Sequence, residues 1–176
     1  MKSGEKALTH AEWEKLQGAI DNLEDELLIK MAITTGLRRE DLVSIRIGNI
    51  SLPDASLTFH ESKKGVDRTI SLSPEIVQLI RKYVATWNRK VIRTRLFEFK
   101  GRTAWNKLDR ACRKAGIAPR PFHALRATCI KFCQAAGWTP EQVSKLTGDS
   151  FRVIQEHYMT PSEGEMKEVT QKRSII

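Results

Sequence analysis

A chain of 176 residues with 40% apolar content can bury one sizeable core, and it is read as a single domain. No apolar run is long enough to cross a bilayer and no signal-peptide core stands near the N-terminus; with three cysteines, Cys112, Cys129 and Cys133, this fits free thiols in a reducing, cytoplasmic setting. The net charge of +9 is unevenly placed: residues 81–120 hold thirteen Lys/Arg against Glu98 and Asp109, giving +11, so the rest of the chain is near −2. So concentrated a block points to a polyanionic partner rather than to general solubility.

In chain order, Thr9 with Glu12 three residues later forms a capping box that opens a helix reaching about Ile20. A second helix is predicted from about Leu23 to Thr35, with Leu27, Leu28, Met31 and Ala32 as its inner stripe. Gly36 breaks it, and a short helix follows from about Arg39 to Ile45. Alternation then takes over through Ile47, Asn49–Ser51, Leu57–His60 and Thr69–Leu72, with turn signals at Pro53-Asp54 and Lys64-Gly65. This predicts a three-stranded antiparallel meander. Ser73-Pro74 starts a helix through about Asn88, with Tyr83 on its apolar stripe. Further helices are predicted over about Thr103–Ala115 and Phe122–Ala136, ended by Gly116 and Gly137. Thr139-Pro140 opens another, Ser150 opens one reaching Tyr158, and Ser162 with Glu165 caps a final segment. The fold class expected is α+β, predominantly helical, with one small sheet.

Four separated segments carry chemistry: Thr35-Gly36-Leu37-Arg38, Lys63 or Lys64 before Gly65, His123-Ala124-Leu125-Arg126, and Tyr158. A guanidinium after a glycine break at a helix junction can leave the core, and its planar fork matches two phosphate oxygens. His123 and Arg126, at i and i+3, share one helix face behind Pro121. A histidine titrating near neutrality can exchange a proton, and a phenol can act as a nucleophile where cations offset the cost of ionising it. Tyr83, the other tyrosine, reads as core. Cys129 and Cys133 share a helix face; buried small hydrophobes and a metal pair are both open, with no matching partner motif for the metal. Trp87, Phe97, Phe99 and Trp105 read as core and loop anchors within the basic block.

In order and spacing these segments resemble the tyrosine recombinase (phage integrase) family, from about Thr9 to about Thr160. The resemblance implies an integrase-like catalytic domain acting on duplex DNA through a covalent 3′-phosphotyrosyl intermediate, with no cofactor and no metal. It implies Arg38 and Arg126 as the phosphate clamp, Lys63 as general acid on the hairpin between the second and third strands, His123 in proton transfer and Tyr158 as nucleophile. Lys64 is the neighbouring candidate for the hairpin lysine. Asp41 fits the acidic position of the first box and is expected behind Arg38. Lys64, Arg93, Arg95, Lys100 and Arg102 are expected to contact DNA, and His157 either contacts the phosphate backbone or caps the surface.

Two departures stand out. Family members carry Gly-His-Ser, or tryptophan for the histidine, nine residues before the nucleophile; here the segment is Gly148-Asp149-Ser150. An ionised Asp149 cannot donate to a phosphate and would repel it; orienting Arg126 or His123, or capping the helix toward Tyr158, are its alternatives. Such integrases carry an upstream arm that clamps DNA, whereas only about eight residues precede the first predicted helix here, so residues 1–176 are expected to correspond to the catalytic domain alone, as an excised fragment or a naturally short enzyme, with a flexible start over 1–8 and a tail over 162–176. The resemblance implies that the tail packs on a neighbouring protomer, so that isolated monomers assemble on DNA as a tetramer, with a frayed tail lacking any partner as the alternative; it also implies a prokaryotic or virus-encoded protein acting in the cytoplasm. A topoisomerase-like enzyme and a DNA-binding protein that has lost catalysis are the rival readings.

Overall fold

The computed structural model describes residues 6–87, 94–157, 166–167 and 170–171, without the side chain of His157. Eight helices and three strands are described: α1 (His10–Ala19), α2 (Leu23–Thr35), α3 (Arg39–Val43), β1 (Ile50–Ser51), β2 (Ser56–Glu61), β3 (Val66–Ser71), α4 (Pro74–Ala85), α5 (Gly101–Lys114), α6 (His123–Ala135), α7 (Pro140–Thr147) and α8 (Phe151–His157). The fold is mostly helical with one three-stranded antiparallel sheet in the order β1-β2-β3, as the alternation predicted.

The helix starts follow from their caps. The Thr9 side chain accepts from the Glu12 amide while Glu12 reaches back to the Thr9 amide, and Thr139 with Gln142 repeats the device at α7. α2 starts at Asn22, whose side chain accepts from the Asp25 amide, and ends at Gly36 in the left-handed region. This helix is apolar around most of its girth and lies at the centre, packed on α4, α5 and α6. Its Leu27, Leu28, Met31 and Ala32 are completely buried. Tyr83 is buried too, and its hydroxyl donates to Glu24 at 2.6 Å while its ring meets Trp87 edge-on. Phe97 and Phe99 join this aromatic cluster, whereas Trp105 is partly exposed.

Two expectations shift. Ile47–Asn49 forms a 3-10 turn instead of a strand, so β1 has only two residues; Asn49 closes that turn by accepting from the Arg46 amide. The β2–β3 hairpin is longer than predicted at its turn end, extending through Glu61 and Val66. The alternation continues past the apolar stretch: Leu57, Phe59 and Glu61 all face inward from β2 and are buried. Phe59 pairs with Arg68 on β3, whose guanidinium lies 5.5 Å from the Phe59 ring centre. The core face of the hairpin therefore changes from apolar to charged as it leaves the core. Its charged end meets the candidate site.

Candidate active site

Arg38 precedes the first residue of α3, with extended backbone, directly after the Gly36 break. Its Nη1 donates to Glu61 Oε1 at 2.6 Å and its Nη2 to Asp149 Oδ1 at 3.3 Å. The partner expected behind Arg38 was Asp41. Asp41 instead accepts from the Ser62 amide at 3.2 Å and the Ser62 hydroxyl at 2.6 Å, fastening the base of the hairpin turn to α3. Hydrogen bonds to a buried carboxylate contribute about 1.5–3 kcal/mol each, which makes this a firm anchor for the turn carrying both candidate lysines.

Glu61 is the residue that sequence reasoning missed. It is completely buried, and besides Arg38 it meets Arg68 Nη1 at 3.2 Å and Lys64 Nζ at 4.0 Å. Burial alone would raise its carboxyl pKa; the Arg38 hydrogen bond and the charges of Arg68 and Lys64 outweigh it and hold the group below the ordinary carboxylate range. A signal was present, since Glu61 continues the inward alternation of Leu57 and Phe59 by one more step.

Arg126, on the second turn of α6, is 2% exposed. Its guanidinium donates to the carbonyls of Gly36 and Thr147, which end α2 and α7, and from Nε to Asp149 Oδ2 at 3.0 Å, with Asp149 Oδ1 also 2.8 Å from Nη2. Helix C-termini carry unpaired carbonyls and partial negative charge, so two of them converging make a natural seat for a buried cation. Arg68 uses the same device, donating to the carbonyls of Lys145, Leu146 and Thr147 at the end of α7. The hairpin and the α7–α8 link are thereby joined through side chains.

His123 is the first residue of α6 and presents an exposed edge to the site. Desolvation at the floor of a concave surface, then the Arg126 cation, lower its pKa below the ordinary histidine value, against a smaller pull upward from Asp149. It is neutral at pH 7 and able to accept a proton. Lys63 is exposed on the hairpin turn. Lys64 turns inward and donates to the Gly148 carbonyl. Asp149 does not cap α8; that role falls to Ser150, whose hydroxyl accepts from the Val153 amide at 3.4 Å.

Arg38, Arg39, Arg102, Trp105, His123 and Arg126 line one cleft of about 740 Å³. Trp105 is thus a cleft residue and not the core anchor expected. Arg95 and Lys100 are exposed but do not line this cleft. Tyr158 and Arg93 lie outside the described residues, as do Ser162 and Glu165 of the expected final cap. Of the basic block, Lys107 and Arg110 pair with Asp25, Lys114 with Asp21, Arg120 with Glu12 and Arg113 with Asp109. Much of its charge is answered within the chain, chiefly by the acidic ends of α1 and α2.

Residues 6–163 match the family model described as "Phage integrase family". The chain belongs to that family. A tyrosine recombinase XerA of Saccharolobus solfataricus is 32% identical over 143 residues, covering 81% of this chain and 48% of the relative. A XerA of Pyrococcus horikoshii is 26% identical over 99% of this chain and 64% of its own length. This phage integrase family member therefore spans about half to two thirds of these relatives. Among solved structures, a XerA recombinase superposes with a TM-score of 0.81 at 20% identity, over 95% of this chain and 65% of the other. A XerH site-specific recombinase bound to its difH substrate gives 0.74 at 18% identity, over 95% and 54%. These likenesses place the fold among recombinase catalytic cores. Among the described residues no helix is long and apolar enough to cross a membrane.

Proposed function

We propose that this domain cuts and rejoins duplex DNA through a covalent tyrosyl intermediate. The observation that carries the reading is the convergence on one cleft of Arg38, from the start of α3, with His123 and Arg126, from the first turns of α6. Family membership and relatives named tyrosine recombinase support the same reaction class. In the proposed step the two guanidiniums bind the non-bridging oxygens of one phosphodiester, and His123 accepts the phenolic proton as the Tyr158 oxygen attacks phosphorus. The bond to the 5′-oxygen breaks, Lys63 supplies its proton, and a 3′-phosphotyrosine and a 5′-hydroxyl result. A hydroxyl from another strand reverses the step, so the phosphodiester energy is conserved.

The choice of Tyr158 is supported by the state of Tyr83, which is buried with its hydroxyl engaged by Glu24. Both hairpin lysines are exposed; the choice of Lys63 over Lys64 is supported by the engagement of Lys64, which donates to the Gly148 carbonyl. Arg102 in the cleft, with Arg95 and Lys100 exposed outside it and Arg93 expected from the sequence, extends the reading to the flanking phosphates. Self-assembly as a tetramer on DNA, through residues 162–176, belongs to the same proposal. A second, mainly apolar hollow of about 500 Å³, with Trp13, Ile33, Phe132 and Trp138 among its walls, has room for a few apolar side chains of such a segment from a neighbouring copy.

Incubation with a library of nicked duplexes, followed by denaturing capture of protein-linked DNA, tests the reading. The wild-type chain should form an adduct, and Tyr158→Phe should form none while still retarding DNA in a gel. An adduct that survives in Tyr158→Phe excludes that nucleophile. Retardation without any wild-type adduct makes the domain a binder that has lost catalysis, and sequencing of joined strands separates exchange from simple relaxation.

A further inference from the structure

Two carboxylates face the cleft arginines, and their settings differ. Glu61 is buried inside the hairpin and shares its charge among Arg38, Arg68 and Lys64, so it belongs to the framework. Asp149 stands on the short link between α7 and α8 and keeps 14% side-chain exposure. Its Oδ1 meets Arg126 Nη2 at 2.8 Å and Arg38 Nη2 at 3.3 Å, and its Oδ2 accepts from Arg126 Nε at 3.0 Å. One negative charge spread over two oxygens, bridging two guanidiniums, is also what a phosphodiester would offer them.

A donor count sharpens the point. A guanidinium has five N–H groups. In Arg126, Nε donates to Asp149, Nη2 to Thr147 and Nη1 to Gly36, while Asp149 Oδ1 also stands 2.8 Å from Nη2. The N–H groups left are one on Nη1 and one on Nη2, and the Asp149 carboxylate, set against Nε and Nη2, occupies the edge from which a two-pronged clamp on a phosphate would be made. We infer that Asp149 holds the anion seat between Arg38 and Arg126 in the free protein, and that a scissile phosphate must displace its carboxylate to be clamped. The inference rests on the reading of this cleft as a phosphodiester site. Its position couples two events, because Asp149 immediately precedes the residue that caps α8, and α8 leads to Tyr158. Displacing the carboxylate completes the arginine clamp and shifts the start of the helix that delivers the nucleophile.

Orthovanadate, a phosphate mimic, titrated into the full chain reads this directly. A like charge at ~4 Å in an effective dielectric of ~20 weakens anion binding on the order of 1000-fold, and solvent and salt reduce that to roughly tenfold. Asp149→Asn, which keeps the shape and gains a donor, should bind vanadate at least tenfold more tightly than wild type and form DNA adduct faster. Glu141→Gln, a carboxylate removed elsewhere on α7, should change affinity less than twofold. Equal or weaker vanadate binding by Asp149→Asn, or no binding by either protein, overturns the inference and leaves Asp149 as a positioning residue for the arginines. The wild-type protein supplies an independent readout if the variant fails to fold: the Arg126 Nε–H resonance should move as vanadate saturates, and a resonance that stays put also overturns it. Tighter vanadate binding with no adduct from either protein would count against strand cleavage while leaving this inference intact.

Discussion

At the scale of single residues, Glu61 shows how a buried charge is made tolerable and what depends on it. Its carboxylate has essentially no solvent, so its stability comes from Arg38, Arg68 and the more distant Lys64. Removing one member of such a set leaves the others uncompensated, at a cost of about 3–5 kcal/mol. Glu61→Gln is therefore expected to lower unfolding free energy at pH 7 by about 3 kcal/mol or more, measured by urea denaturation. The sign with pH follows from the lowered carboxyl pKa: relative to the ordinary value of 4.5, the folded state releases its proton more readily than the unfolded chain. The stabilisation is fully present above pH 4.5 and is lost as pH falls through the lowered folded value. The gap between wild type and Glu61→Gln should thus narrow at pH values below 4.5. An unchanged gap would mean that shape, and not charge, is what the hairpin needs at this position.

At the scale of elements, the site is assembled from helix ends, and this is where the sequence was only partly legible. The capping boxes at Thr9 and Thr139, the breaks at Gly36, Gly116 and Gly137, and the period-two strands are local signals, and the elements start and stop near where those signals put them. The pairing of Arg126 with the carbonyl ends of α2 and α7 is not local, since it joins residues 90 and 21 positions apart. Asp41 was misread for the same reason: the family resemblance put it behind Arg38, while the hairpin brought Ser62 to it in space. The α2 end can be tested with glycines. Gly36 has φ of +63°, and a Cβ there would come within 2.9 Å of Thr147 Cγ2 and 3.2 Å of Cys129 Sγ. Gly65 has nearly the same φ, +65°, with nothing within 4 Å of the added carbon. Gly65→Ala should cost only the left-handed strain, about 1–2 kcal/mol. Gly36→Ala adds a clash that pushes the Gly36 carbonyl away from Arg126, and should cost about 2–4 kcal/mol. Equal shifts in denaturation midpoint for the two variants would show that the α2–α6–α7 contact gives way freely.

At the scale of the whole molecule, the uneven charge has two uses, and the sequence disclosed only their sum. Read along the chain, residues 81–120 form one basic block; in three dimensions α5 lays part of that block on the acidic ends of α1 and α2. Lys107 is half-buried between Glu24 and Asp25, and Lys114 reaches Asp21 at 2.9 Å. These cations hold the helices together, weakly where exposed, since a solvated pair contributes about 0–1 kcal/mol. Arg102, on the first turn of the same helix, lines the cleft beside Trp105 and Arg39 and is free of any such acidic partner among the described residues. A cation that meets a phosphate releases a counterion, and each such contact steepens the log–log dependence of affinity on salt by about 0.9. Arg102→Ala should therefore flatten that slope by about 0.9. Lys114→Ala should leave it unchanged, because its charge is already matched by Asp21 on a different part of the surface. Fluorescence anisotropy with a duplex, titrated from low to moderate salt, measures both. A reversed pattern, with Lys114 controlling the slope and Arg102 silent, would place the DNA along the outer face of α5, away from the cleft where Arg38 and Arg126 wait for a phosphate.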